Sequence, residues 1–300
     1  MTNQRKAYML GLFSVLLWST VASAFKLSLR HLEPPQLLLY ASITSLIVLG
    51  FILLVQGKLH LIWACSRKCL IHSLLLGLLN PFLYYLVLIK AYDLLPAQEA
   101  QPLNYTWALT LALLSIPLLG QKITSRDLLA GLVCYSGVLV ISTRGDIFSF
   151  HFSDPFGVAL ALISTLIWAL YWIFNTRSDI DPVVGLFLNF AFGTPLVFLF
   201  CLGFSTVATG SLQGLLGAVY IGLFEMGITF VLWLTALRLS SNTSKIGNLI
   251  FLAPFLSLVF IRFLVGEQIL PSTLVGLGLI IAGLSLQRLR GAGAEGAQPC

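Results

Sequence analysis

Apolar runs of about 20 residues follow one another down nearly the whole chain, and the loops between them are too short to hold a domain. A run of that length is what an α-helix needs to cross the roughly 30 Å hydrocarbon core of a bilayer. The runs do not alternate apolar with polar residues, as the strands of a membrane barrel must. In lipid every backbone N–H and C=O needs a partner inside the protein, so the runs are read as helices. Charge content agrees. Only 9% of the 300 residues are charged and the mean hydropathy is +0.96, whereas an ordinary soluble domain carries about 25% charged residues. So few charges could not cover a water-facing surface.

The runs lie at residues 7–29, 35–56, 70–92, 97–119, 126–143, 155–176, 182–203, 212–237, 244–265 and 271–288. The expected fold class is an all-α integral membrane protein of ten transmembrane helices. Arg5-Lys6, an apolar stretch and Ala22-Ser23-Ala24 resemble a cleavable signal peptide. The apolar run continues through Phe25 and Leu27, however, so the segment is read as a retained first helix. With the N-terminus in the cytoplasm, 12 of the 17 Lys and Arg fall at cytoplasmic loops and ends. The positive-inside rule therefore places both termini in the cytoplasm and the chain in a cell (inner) membrane. The net charge of +6 has its sources scattered singly at run ends, which orientation explains without nucleic acid.

The two halves look alike. Leu17-Trp18-Ser19 and Ile167-Trp168-Ala169 each sit in the first run of a half. Gly120-Gln121-Lys122-Ile123 matches Gly266-Glu267-Gln268-Ile269, and Gly131 and Gly137 match Gly276 and Gly283. The expected organisation is two five-helix repeats, residues 1–150 and 151–290, with a small polar cytoplasmic tail at 291–300 read as disordered. An odd number of spans per repeat inverts the second copy. That is the plan of many secondary transporters, whose binding sites lie near the midplane between halves.

Ten spans, two five-helix halves, a Leu-Trp-Ser start and a Gly-Glu/Gln-x-Ile element after the fourth span of each half resemble the EamA-type branch of the drug/metabolite transporter superfamily. The resemblance covers nearly the whole chain. Glu99 followed by Asn104-Tyr105-Thr106-Trp107, with Trp18-Ser19-Thr20 and Ile167-Trp168-Ala169-Leu170-Tyr171, is similar to its aromatic amino-acid exporters. The eighth span departs from that branch, because Gly222-Leu223-Phe224-Glu225-Met226-Gly227 carries an intramembrane acid. The resemblance implies movement of small solutes, with amino acids the leading class.

Glu225 is the most informative residue. A carboxylate at a helix centre in the membrane costs roughly 2–3 kcal/mol or more, and such residues mark substrate or proton pathways. It binds a substrate amine or exchanges a proton, or else it hydrogen-bonds a neighbouring helix as glue. Glu99, Lys90 and Lys26 sit at outer span ends, where they form either a gate or snorkelling surface pairs. Asn80, Tyr84, Asn104, Tyr105, Trp107, Trp168, Tyr171, Trp172, Asn175, Trp233 and Asn248 make a polar-aromatic set. Trp168, Tyr171, Trp172 and Asn175 recur at helical steps, so most share one face. Such a face suits an amphipathic solute through stacking and cation–π contact, or serves helix packing alone. Pro81, Pro102, Pro117, Pro195 and Pro254 lie inside runs and are candidate hinges.

The aspartates all fall at run ends or loops, and there is neither a His-Glu-x-x-His nor a phosphate-binding Gly-rich loop ending in Lys-Ser/Thr. The five cysteines lack zinc-ligand spacing. No enzyme activity, cofactor, metal or nucleic-acid partner is expected. The sequence points to a secondary transporter, an exporter in direction, of small organic metabolites and most of all amino acids. It would work by alternating access with a proton as the coupling ion and the lipid bilayer as its surroundings. The competing readings are a membrane-embedded enzyme or lipid-handling protein, and a transporter of another drug or metabolite.

Overall fold

The computed structural model of the protein describes residues 3–119, 125–148, 152–175, 180–208, 211–240, 246 and 249–288. Among these residues the regular structure is helical. The first half contains α1 (Asn3–Ser28), α2 (Pro34–Val55), the single turn α3 (His60–Trp63), α4 (Arg67–Gly77), α5 (Tyr84–Leu94), α6 (Ala97–Tyr105), α7 (Trp107–Leu119) and α8 (Ser125–Ser142). The second half contains α9 (Pro155–Asn175), α10 (Pro182–Phe204), α11 (Leu212–Phe224), α12 (Ile228–Leu239), α13 (Ala253–Phe260) and α14 (Pro271–Arg288).

Six stretches of the described residues are long and apolar enough to cross a membrane: Asn3–Ser28, Pro34–Val55, Arg67–Leu94, Pro155–Asn175, Pro182–Phe204 and Leu212–Leu239. Shorter apolar helices lie at Leu128–Ser142, Leu249–Val265 and Pro271–Leu286. The expected fourth run is divided at Thr106 between α6 and α7. The expected third and eighth runs are also interrupted, at Leu78–Leu83 and at 225–227. Of the candidate hinge prolines, Pro81 lies within an interruption, whereas Pro102, Pro117 and Pro195 sit inside helices. Pro254 stands in the first turn of α13, where its missing N–H costs little.

The distribution of polarity is that of a protein solvated by lipid. Large apolar side chains face outward, among them Ile47, Phe51, Leu132 and Phe263, while Ser14, Ser42, Asn80, Glu99 and Asn189 are fully buried. The buried hydroxyls of Ser14 and Ser19 bond back to Leu10 O (2.8 Å) and Val15 O (2.6 Å), so they burden the apolar surroundings little.

The halves interlock. α1 packs on α12, α13 and α11, α2 packs on α10 and α11, α9 packs on α5 and α7, and α8 packs on α14. Glycines bring the last pair together, since a Cβ on Gly276 would lie 2.6 Å from Gly137 O. Small residues let helix backbones approach where lipid offers no hydrophobic drive to associate.

Candidate functional site

The interruption between α11 and α12 positions the acid. α11 ends at Phe224 and α12 begins at Ile228, with Gly227 at φ −115°, ψ −95°. Glu225 N and Met226 N both bond to Ile221 O, at 2.8 and 3.2 Å. Carbonyls released by the break are taken up by neighbouring helices. Ser45 of α2 donates to Met226 O at 3.0 Å, and the Trp18 indole of α1 reaches Glu225 O at 3.5 Å. Irregular backbone at membrane depth is stable only where protein or a cavity satisfies it. The Glu225 side chain is half-buried, and Tyr85, fully buried on α5, donates to its Oε1 at 3.1 Å.

Glu225 forms part of the wall of a cavity of about 310 Å³ enclosed by α1, α5, α6, α7, α9 and α12. Small-molecule sites run from about 300 to 1,000 Å³, so this is room for a compact solute. Its wall is aromatic. Trp168 stacks on Tyr84 (centroids 4.4 Å apart, 26°) and on Tyr171 (5.4 Å, 23°). Trp107, Trp172 and Phe230 meet Trp168 edge-on at 5.9–6.5 Å. Trp18 packs against Trp233 at 5.4 Å and Phe230 at 5.6 Å. Two amides complete the polar lining. Asn104 accepts from Tyr84 OH (3.4 Å) and donates to Ser164 (3.0 Å). Gln101 Oε1 accepts from Tyr92 OH (3.2 Å) and Ser257 (3.0 Å).

The cavity runs from Phe25, Tyr92 and Gln101 at one end to Leu111, Leu237 and Ile250 at the other. The first end is shut. Phe25 and Tyr92 rings lie 5.1 Å apart, and Lys26 Nζ donates to Tyr92 O (2.7 Å) and Leu95 O (2.8 Å) as α5 finishes. An ammonium suits the carbonyl end of a helix. Beside it, Glu267 accepts from Ala97 N (2.8 Å) and Gln98 N (3.1 Å), the free donors at the start of α6. The Gln98 amide in turn bonds Gln268 O, Leu270 N and Thr273. The Gly-Glu-Gln-Ile element of the second half thus fastens onto α6 of the first.

Of the residues expected from sequence to bind or couple, Glu225, Tyr84, Asn104, Tyr105, Trp107, Trp168, Trp172 and Trp233 line this cavity. Tyr171 stands behind Trp168 and bonds Asn189 at 3.3 Å. Asn80 is fully buried at the other interruption, against α10, and does not line the cavity. Asn175 is half-buried at the end of α9, outside the cavity. Glu99 is fully buried elsewhere, with Arg144 Nε 2.9 Å from Oε1 and Ser153 donating to Oε2. Lys90 pairs with Asp93 at 2.6 Å on the surface. Asn248 lies outside the described residues. Sequence reasoning did not single out Gln101, Tyr92 or Phe230 as site residues, noted Phe25 only as part of the first apolar run, and used Trp18 as a mark of the repeat and of the family resemblance. Gln101 had a readable signal, being an amide one helical turn before Asn104 in an apolar run. Among the described residues no three His, Cys, Asp or Glu side chains come together as a metal site.

Comparison with known proteins agrees with this geometry. The profile of the EamA-like transporter family matches residues 5–143 and again 155–288. The chain is 29% identical over 281 residues to the uncharacterized transporter YvbV of Bacillus subtilis, covering 91% of this chain and 88% of that one. It is 25% identical over 273 residues to the aromatic amino acid exporter YddG of Ancylobacter novellus, covering 85% and 87%. A crystal structure of a protein 23% identical in sequence superposes with a TM-score of 0.68 over 96% of this chain and 98% of that one, a likeness of fold. With that profile matched along both of its halves, the chain belongs to the EamA-like transporter family.

Proposed function

We propose that this protein is a secondary transporter that moves small amphipathic solutes bearing an amino group, and that Glu225 exchanges between that group and a proton. Amino acids are the class that the exporter among its relatives suggests. The observation that carries this reading is a carboxylate held at a helix break in the wall of an aromatic cavity. Intramembrane acids that face a cavity mark substrate and proton pathways, and an interrupted helix beside that cavity is a feature of transporter binding sites.

In this reading the chain crosses a cell (inner) membrane ten times as two inverted five-helix halves, with both termini cytoplasmic. Support comes from the double match of the family profile and from helices that lie along each expected run. The shut end, held by Lys26, Glu267 and Gln98, is then the external one, and transport by alternating access requires those contacts to release. Lys26 is the gate residue this geometry favours, whereas Lys90 spends its charge on Asp93 at the surface.

The test is exchange of a labelled panel of amino acids and amines in proteoliposomes, with wild type beside Glu225→Gln. A pH gradient is expected to drive net movement in wild type, and Glu225→Gln is expected to lose that drive. Movement that ignores the gradient in wild type removes the proton from the mechanism, and a panel on which nothing moves removes the solute class.

A further inference from the structure

From the same site, and resting on the transporter reading, the geometry points to an organic monocation as the ligand: an amine attached to an aromatic or branched apolar body, without the carboxylate of an amino acid. Among the described residues lining the cavity, Glu225 is the one ionisable carboxylate, and no Lys, Arg or His is present. Tyr85 occupies Glu225 Oε1, and the described residues form no hydrogen bond or ion pair to Oε2. Lys26 is not among the residues lining the cavity and is committed to two backbone carbonyls.

The amides are neutral and partly committed. Asn104 is bonded through both its oxygen and its nitrogen, to Tyr84 and Ser164. Gln101 accepts from Tyr92 and Ser257 through its oxygen, and its amide nitrogen stands on the cavity wall as a neutral donor. A buried donor is left without an acceptor at the Trp172 indole nitrogen, and it is neutral. Neutral N–H donors with no cation beside them do not repay the desolvation of a ligand carboxylate, which would also stand close to Glu225. An ammonium meets the opposite conditions. It finds an unspent carboxylate oxygen and the faces of Trp and Tyr rings, whose quadrupoles attract cations within about 6 Å. An aromatic cage around one acid is chemistry for a cation, and a zwitterion brings a carboxylate for which the described lining residues offer no cation.

The test is isothermal titration calorimetry of the full chain in detergent at neutral pH with matched pairs: phenethylamine against phenylalanine, tyramine against tyrosine, tryptamine against tryptophan. The methyl esters of the three amino acids serve as monocations that keep the amino-acid bulk. Amines and esters are expected to bind at least about tenfold tighter than the parent amino acids. Glu225→Gln is expected to erase that ranking, with its melting temperature confirming that it folds. The wild-type ranking tests the idea alone if the variant does not fold. Parent amino acids that bind as tightly as the amines overturn the inference while leaving amino-acid transport standing. Failure of every pair to bind, with another solute of the exchange panel moving, also overturns it. Failure of both assays sinks the transporter reading with it.

Discussion

The protein interrupts two 28-residue apolar stretches, Arg67–Leu94 and Leu212–Leu239, at the same depth: Asn80 and Glu225 each stand 13 residues after the first residue of their stretch. The two breaks are put to different uses. At the first, Asn80 adopts φ −144°, ψ 116° ahead of Pro81, and α10 is pressed against it. A Cβ on Gly77 would lie 2.5 Å from Asn189 O, and one on Gly193 would lie 2.5 Å from Pro81 Cδ. Nothing of that break lines the aromatic cavity. At the second, the backbone is secured from behind by Ser45 and Trp18, and the side chain of Glu225 is turned into the cavity. One break is closed by backbone contact and the other exposes a charge. Close glycine contacts do not by themselves separate the two, since a Cβ on Gly222 beside the second break would lie 2.5 Å from Ala41 O; the difference is that the second break turns its side chain to the cavity.

The sharpest test of that contrast is Gly77→Ala. The new methyl meets a backbone carbonyl rather than a pliable side chain, so α10 must shift. Overpacking of this kind costs about 1–3 kcal/mol. Melting in detergent is expected to show the loss, with the ligand affinity of the folded fraction unchanged. Binding that vanishes at unchanged stability would make the first break part of the site and dissolve the distinction.

Ser45→Ala probes the second break in the complementary way. It leaves Met226 O without its donor in an apolar setting, a loss of about 1–3 kcal/mol. Because that carbonyl adjoins Glu225, affinity is expected to fall along with stability. A variant that melts lower yet binds as before would show that the placement of Glu225 does not depend on α2.

Much of this was legible in the sequence because lipid imposes length and hydropathy on each helix. The helix α10, Pro182–Phe204, was expected at 182–203, and α14, Pro271–Arg288, at 271–288. Glu225 was legible for the same reason, as an acid in an apolar run. The break that presents it was not. It contains no proline, and its carbonyls are satisfied by Ser45 and Trp18, 181 and 207 residues distant in sequence. Asn80 carried the same kind of signal as Asn104, but it sits where Gly193 of α10 approaches Pro81 closely, whereas Asn104 faces the cavity. Lys26 looked like half of an ion pair. Its partners are main-chain carbonyls, which no pattern of side chains announces.

The smallest effect is expected where α10 begins, far from either break. Asp181 caps that helix, accepting from Val183 N at 2.9 Å and Val184 N at 3.4 Å, and it pairs with Lys58 at 2.8 Å. Partial burial works to raise its carboxyl, but the Lys58 ammonium and the two backbone donors outweigh it and hold the group below the usual carboxylate range. A carboxyl held lower in the folded state contributes stability above its unfolded value, about 3.9, and loses it as pH falls through the folded value. Asp181→Ala is therefore expected to cost about 1 kcal/mol near neutral pH, the size of a lost cap. The gap from wild type should narrow as the medium is acidified below pH of about 4. Since α10 is the helix that closes the first break, its anchoring matters to packing there and not to the cavity. The variant's ligand affinity at neutral pH should match wild type, and a clear drop would mean that the sealed break and the binding break move together.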